Sequence, residues 1–192
     1  MLRHILTLLL IKLPLQLLGL PILAVVLLFV PKDKETLPSA FRWWDNYELH
    51  LRDDGDDGLS GPDYHRSKWK NPEGWIARFS WLALRNPINY FQYRHLGFQT
   101  KKGWTATVEN PNVGTQSYRD AGIRKIKLIN GDGKEYWEWY AVIKLFGNVH
   151  FRARLGYKIG DTTDLADDEW VQWVFSVTPF KVLKPKALSP KE

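Results

Sequence analysis

The chain has 192 residues, with 27 Lys and Arg against 21 Asp and Glu, five His, ten Trp and no Cys. Without Cys there is no disulfide framework, thiolate zinc site, lipoprotein cysteine or cysteine nucleophile, and no two His are spaced as in HExxH. A formal charge of +6 suits an anionic neighbour such as lipid headgroups or nucleic acid without requiring one, and the length allows one ordinary domain or a small domain plus an anchor.

The first thirty residues carry only two charges, Arg3 and Lys12, and from Leu13 to Val30 Gln16 is the one strongly polar side chain. A helix of about 20 apolar residues crosses a hydrocarbon core, so this stretch is long enough, especially with Lys12 snorkelling. A transmembrane anchor is therefore predicted over residues 1–30, kinked at Pro14 and Pro21, which lack the backbone donor. A cleaved signal peptide fits less well, because the apolar run is long and the best cleavage site, Pro38-Ser39-Ala40, puts Pro at the −3 position. A soluble core helix is seldom apolar on every face. Arg3 and Lys12 on one side nearly balance Lys32, Lys34 and Arg42 on the other, so the positive-inside rule selects no orientation.

Residues 31–41 are predicted to be a short linker, residues 42–180 a small α+β domain, and residues 181–192 a disordered basic tail. The domain opens on Trp43-Trp44-Asp45-Asn46-Tyr47, followed by an acidic, Gly-rich loop from Asp53 to Asp63. Trp75, Ile76, Phe79, Leu82 and Ala83 recur at helical spacing, which predicts a helix from about Glu73. Asn86 as N-cap and Pro87 as first residue predict a second helix to about Leu96, stopped by Gly97.

The period then changes to two. Trp104, Ala106 and Val108 alternate with Thr, Ile126 and Leu128 alternate with Lys, and Asn130-Gly131-Asp132-Gly133 is a hairpin turn. Trp137, Trp139, Ala141, Ile143 and Leu145 share one face of a long strand. Gly147-Asn148 turns the chain, and Phe151, Ala153, Leu155, Tyr157 and Ile159 form the next inward face. Val171, Trp173, Phe175 and Val177 form the last. The fold class is thus α+β: an N-terminal transmembrane helix, two short helices and a five-stranded antiparallel meander sheet.

The acidic loop invites a calcium reading, but the EF-hand template fails in both registers, with Tyr64 or His65 standing where the bidentate Glu belongs. A solvated acidic turn, paired in part with nearby Arg, is the simpler reading, and neither a metal nor a cofactor is expected. Glu48 and Asp57 have the Glu-x8-Asp spacing of a phage lysozyme pattern, yet Asp63 stands where that pattern has Thr, and the strand-rich remainder departs from that mostly helical class. Lys125, Lys127, Lys144, Arg152, Arg154 and Lys158 are expected on one sheet surface, able to meet anionic lipid or nucleic acid, with Tyr136 and Tyr140 available for stacking. The bland alternative is the solvated side of a half-buried sheet. Trp43 and Trp44 lie close enough to Val30 to reach the headgroup layer. No nucleophile triad, phosphate loop or dinucleotide fingerprint is readable, and no catalytic residue is assigned.

Three stretches resemble a family of small, uncharacterised proteins of tailed bacteriophages with an N-terminal hydrophobic segment. They are Asp56-Asp57-Gly58-Leu59-Ser60-Gly61-Pro62, Trp81-Leu82-Ala83-Leu84-Arg85-Asn86-Pro87-Ile88-Asn89, and Arg154-Leu155-Gly156-Tyr157-Lys158-Ile159. The resemblance implies a phage product acting in an infected bacterium and brings no activity with it. Folding of Asp56 and Asp57 against Arg85 and Asn86 would join the first two stretches into one polar binding site. The expected protein is a single-pass component of the host inner membrane, touching its lipids and an unknown host or phage protein, non-catalytic, in host takeover or superinfection exclusion. An envelope-degrading lysis accessory enzyme and a membrane-tethered nucleic-acid binder are the alternatives.

Overall fold

Pro14 and Pro21 have no N–H to give, and the first helix absorbs both without breaking. In the computed structural model, which describes residues 2–47, 58–113, 121–161 and 169–182, helix α1 spans Leu2–Phe29. Its backbone widens into a π turn at Leu8–Lys12, with the Leu13 N–H donating to the Leu8 carbonyl just ahead of Pro14, while Pro21 sits inside the helix. A π turn is one of the recognised ways a helix accommodates such a local defect. Lys12 is buried rather than extended into solvent. The chain divides into two units, Met1–Leu96 and Gly97–Glu192.

In the first unit α1 has two unlike sides. Gly19, Leu23 and Leu27 are buried, and Leu23, Leu27 and Val30 form one core with Leu37, Trp44, Leu59, Trp81, Leu82, Ala83 and Ile88. Residues 31–41, expected as a linker, fold back onto the helix, since Leu37 belongs to that core and a 3-10 turn, Ser39–Trp44, follows directly. Three short helices complete the unit: α2 (Asp63–Arg66), α3 (Trp75–Phe79) and α4 (Asn89–Arg94). The helix expected from Glu73 therefore starts at Trp75, and it widens into a second π turn over Ser80–Arg85. The extra residue in that turn shifts the helical phase, so the consecutive side chains Trp81, Leu82 and Ala83 are all buried. The second expected helix begins two residues late. Asn86 does not cap it; Ile88 does, in the left-handed region at φ 50°, ψ 33° with no side-chain capping bond.

The second unit holds the meander. Strands β2 (Thr105–Glu109), β3 (Gly122–Ile129), β4 (Glu135–Phe146), β5 (Val149–Tyr157) and β7 (Trp173–Val182) form a five-stranded antiparallel sheet in the order β2-β3-β4-β5-β7. The β3–β4 turn falls where Asn130-Gly131-Asp132-Gly133 predicts it, with the Asn130 Oδ1 accepting the N–H groups of Asp132 and Lys134 at 3.1 and 2.7 Å. Strand β7 runs to Val182, past the expected start of the tail. A two-residue ladder between β1 (Phe98–Gln99) and β6 (Trp170–Val171) is too short to have left a periodic signal. It carries Phe98 and Val171 into a core with Ile126, Leu128, Tyr136 and Ile159, where Phe98 and Tyr136 have ring centroids 3.8 Å apart.

The register corrects how the strand faces were matched. Ile126 pairs with Glu138 and Leu128 with Tyr136, whereas Lys127 pairs with Trp137 and Lys125 with Trp139. The apolar side of β3 therefore lies with Tyr136, Glu138 and Tyr140, opposite the Trp137–Trp139 face. Alternation within a strand sorts its own side chains into two sets, but only register says which set meets which.

Gly156 shows how closely the strands are set. It has φ +96°, and a β-carbon there would strike the Trp137 carbonyl and ring. Gly156→Ala is expected to destabilise the sheet by more than about 1 kcal/mol, because the conformation and the contact both oppose a side chain. Gly131→Ala, in the turn with open space around it, is expected to stay within about 0.5 kcal/mol of wild type. Denaturant melts followed by circular dichroism separate the two.

Candidate functional site

The side of α1 that carries Gly19, Leu23 and Leu27 is apolar, and three neighbouring side chains bond to the backbone of the helix and its C-cap. The Trp44 indole N–H donates to the Leu15 carbonyl at 2.9 Å, and the Trp75 indole N–H donates to the Ala24 carbonyl at 3.0 Å. Arg78 donates through Nη1 to the Val30 carbonyl at 3.0 Å, where the last carbonyls of a helix have no intrahelical partner. Trp44 comes this close because residue 19 is Gly: a β-carbon there would lie 2.5 Å from the indole. Arg78 is almost fully buried, and that burial pushes its guanidinium pKa down against the opposing charge of Glu73.

Beside this contact lies a buried polar knot. Asp45 accepts the Asn46 N–H at 2.8 Å on one carboxyl oxygen and the Leu37 N–H at 3.0 Å on the other. Asn86 donates to the Asn46 side-chain oxygen at 3.1 Å, Asn89 donates to Asn86 at 3.0 Å, and the Asn89 oxygen accepts the Tyr47 N–H at 2.8 Å. The Tyr90 N–H closes the knot on the Asp45 carbonyl at 3.0 Å. This explains why Asn86 is not a helix cap, and how Ile88, fully buried, is held in a backbone region that a β-branched residue seldom adopts. Burial raises the Asp45 carboxyl to about 6, against the two backbone N–H groups and Arg42, which favour the ionised form.

The second unit has its own buried charge. Glu138, 1% exposed, accepts Arg124 Nη2 at 2.8 Å and the Gly160 N–H at 2.7 Å, and Arg154 Nε lies 3.4 Å from the same carboxylate. The guanidinium carbons of Arg154, Arg124 and Arg152 stand 4.4, 5.2 and 5.4 Å from the Tyr140 ring centroid. Arginine stacks readily on aromatic faces, and one carboxylate and one phenol ring thus hold three cations.

The residues singled out from sequence are distributed among these features. Asp56, Asp57 and Glu48 lie outside the described residues, and so does the acidic loop before Gly58. Asp63, at its end, pairs with Arg66 at 2.5 Å. Arg85 is exposed and Asn86 belongs to the Asp45 knot. Trp44 is buried against α1, whereas Trp43 is 47% exposed, with its ring edge-on to Phe91. The six basic residues do not share one surface. Lys125 and Lys127, ion-paired to Glu109 and Glu135, lie on the Trp137–Trp139 face. Arg152 and Arg154 lie on the Tyr140 face with Lys144 at its end, and Lys158 follows the end of β5. Tyr136 and Tyr140 are buried and so are not open platforms for bases. Among the described residues no three His, Asp or Glu side chains gather as a metal site would need.

Sequence reasoning passes over Arg78 and the role of Asp45, and it reads Glu138 only as an acid tempering the basic sheet surface, where the structure buries it as the acceptor of Arg124 and the Gly160 N–H. Each is a lone charge in an apolar or aromatic run, in Trp75-Ile76-Ala77-Arg78-Phe79, Trp137-Glu138-Trp139 and Trp43-Trp44-Asp45, and that pattern is the signal available.

Asp45 makes stability depend on pH. Its folded pKa of about 6 is above the ordinary 3.8, so the folded state holds the proton more tightly. Its contribution is complete below about pH 4 and is lost as pH rises through 6, by up to about 3 kcal/mol. Asp45→Asn is expected to abolish that part of the slope between pH 4 and 6, whatever constant offset the amide introduces, in denaturation followed in detergent. Glu138→Ala is expected to cost about 3–5 kcal/mol, since it leaves the buried Arg124 guanidinium without its carboxylate. The same melts measure that loss.

No curated protein and no solved structure matches the chain. A family of unknown function, DUF7338, matches residues 2–185. With nearly its whole length covered, the chain belongs to that family.

Proposed function

We propose that the chain is a phage-encoded, single-pass protein of the host bacterial inner membrane whose folded units bind a host envelope or membrane component without catalysing a reaction. Host takeover or superinfection exclusion is the setting that the resemblance to tailed-phage proteins supports. The observation that carries the membrane reading is the outer side of α1. Leu10, Leu17, Leu28 and Phe29 are 66–79% exposed, and only 17% of the helix's most apolar window is buried. A contiguous apolar surface of this kind is costly in water and suited to lipid, and a helix satisfies its own backbone there.

The inner side of α1 weighs against removal as a signal peptide. Cleavage after Ala40 would take Leu23, Leu27, Val30 and Leu37 out of the core and uncover Leu59, Trp81, Leu82 and Ile88. It would also leave the Trp75 indole and Arg78 Nη1 without their carbonyls. The non-catalytic reading is supported by the occupancy of the buried carboxylates: both oxygens of Asp45 and of Glu138 already accept hydrogen bonds.

Expression in bacteria followed by alkaline carbonate extraction and intact mass measurement tests this reading. The expected result is a full-length chain that stays in the membrane pellet. Release into the carbonate supernatant, or a product shortened by about the length of the apolar segment, would overturn it.

A further inference from the structure

The β4–β5 turn and the end of β7 make up one end of the five-stranded sheet, and its composition differs from the rest of the unit. Phe146, Val149 and Val182 pair across the three strands as the outermost row, and Lys144, His150 and Lys181 pair as the row behind. Phe146, Phe180 and Val182 are 64–71% exposed, and Leu145 is 44% exposed. Register shifts interrupt both ladders here, between Lys144 and Phe146 and between His150 and Arg152, and bulges of this kind re-aim the strand end. The sequence contains no Asp or Glu from Trp139 to Gly160 or from Trp170 to Lys191, so the stretches that build this end bring cations, apolar side chains and a few neutral polar groups such as Asn148 and Thr178, and no acidic side chain.

Apolar side chains at the tip with cations one row behind match the layering of a bilayer surface, where an acyl region lies beneath phosphate headgroups. Phe146 and Phe180 could stack on bases, but the aliphatic side chains Leu145, Val149 and Val182 that share this end give nucleic acid neither a stacking face nor a hydrogen bond and suit acyl chains. Edge pairing with a second copy is opposed by Pro179 in the edge strand β7, which has no donor for a new ladder. We propose that this end of the sheet docks on an anionic phospholipid bilayer, with Leu145, Phe146, Phe180 and Val182 entering the acyl boundary and Lys144 and Lys181 meeting headgroup phosphates. The proposal rests on α1 holding the chain at a membrane and adds a second, charge-dependent contact to it.

The absence of Cys makes the test direct. Single variants Phe146→Cys, Val182→Cys, Asp132→Cys in the turn at the opposite end, and Leu10→Cys in α1 are labelled with an environment-sensitive fluorophore. Each full-length protein is reconstituted into vesicles of phosphatidylcholine, or of an equimolar mixture with phosphatidylglycerol, carrying nitroxides on the acyl chains. The expected result is quenching at 10 in both vesicles, quenching at 146 and 182 chiefly in the anionic ones, and none at 132. Adding Lys144→Gln or Lys181→Gln should reduce the docked-to-undocked ratio about fivefold per cation. Quenching at 10 with water-exposed labels at 146 and 182 in anionic vesicles overturns the docking alone. Absence of quenching at 10 overturns the membrane reading and the docking with it. Shielding at 146 without nitroxide quenching marks a protein partner or a second copy, and also overturns it.

Discussion

An apolar helix gives a folded unit little to hold except its surface and its backbone, and the first unit uses both. Leu23 and Leu27 bury against Trp81, Leu82 and Ile88, while Trp44, Trp75 and Arg78 donate to the carbonyls of Leu15, Ala24 and Val30. The Trp44 indole N–H and Arg78 Nη1 would otherwise be expensive to bury, at about 1–3 kcal/mol for an unsatisfied polar group, whereas Trp75 is partly open to solvent. One set of bonds therefore solves two problems, placing the polar atoms of the neighbouring segments and fixing the helix against them. The remainder of the unit follows from this grip. Leu37 folds back to close the core, and the Leu37 N–H brings Asp45 to the knot that holds Ile88 in its left-handed conformation.

The second unit meets a different constraint with the same means. Its sheet carries apolar side chains on both faces, Ile126, Leu128 and Tyr136 on one and Trp137 and Trp139 on the other. Hydrophobic pattern alone sets register weakly in such a sheet. Glu138 supplies what the pattern lacks. A slip of one residue between β3 and β4 would carry its carboxylate away from Arg124 and Gly160 and leave a buried charge without donors. A buried ion pair adds little net stability over an apolar pair of similar size, but here it discriminates between alignments that apolar contacts would accept almost equally.

The first helix, the five strands and the Asn130–Gly133 turn were legible in the sequence because each has a long periodic or compositional signal. What escaped depends on partners distant in sequence. Asn86 has the chemistry of a helix cap, yet Asn46, forty residues away, takes its side chain. Tyr136 and Tyr140 flank the Trp137–Trp139 run and look exposed until Phe98, Val171 and Ile159 cover Tyr136, and Val113 and three arginines cover Tyr140. Lys125 and Arg154 both alternate with apolar neighbours, but their strands meet in opposite phase. Of the polar site expected from Asp56, Asp57, Arg85 and Asn86, only Arg85 and Asn86 are among the described residues, and they part company, one exposed and one in the Asp45 knot.

The three stretches that carry the resemblance to phage proteins share a physical task. Leu59 enters the core against α1, and Ser60 donates to Glu73 at 2.6 Å. Trp81, Leu82 and Ile88 build that core, and Asn86 and Asn89 satisfy the buried knot. Arg154 stands against Glu138 and Tyr140, Gly156 admits Trp137, and Ile159 closes the cover. These are positions where one particular side chain is needed, since a replacement leaves a buried group unpaired or a close approach blocked. The outer side of α1 and the acid-free end of the sheet are different in kind. Their proposed partner is a lipid surface, which reads apolar area and charge and not a fixed constellation of atoms, so many side chains can supply what it needs. A chain built in this way keeps its individually required residues inside, and its recognition surfaces depend on composition.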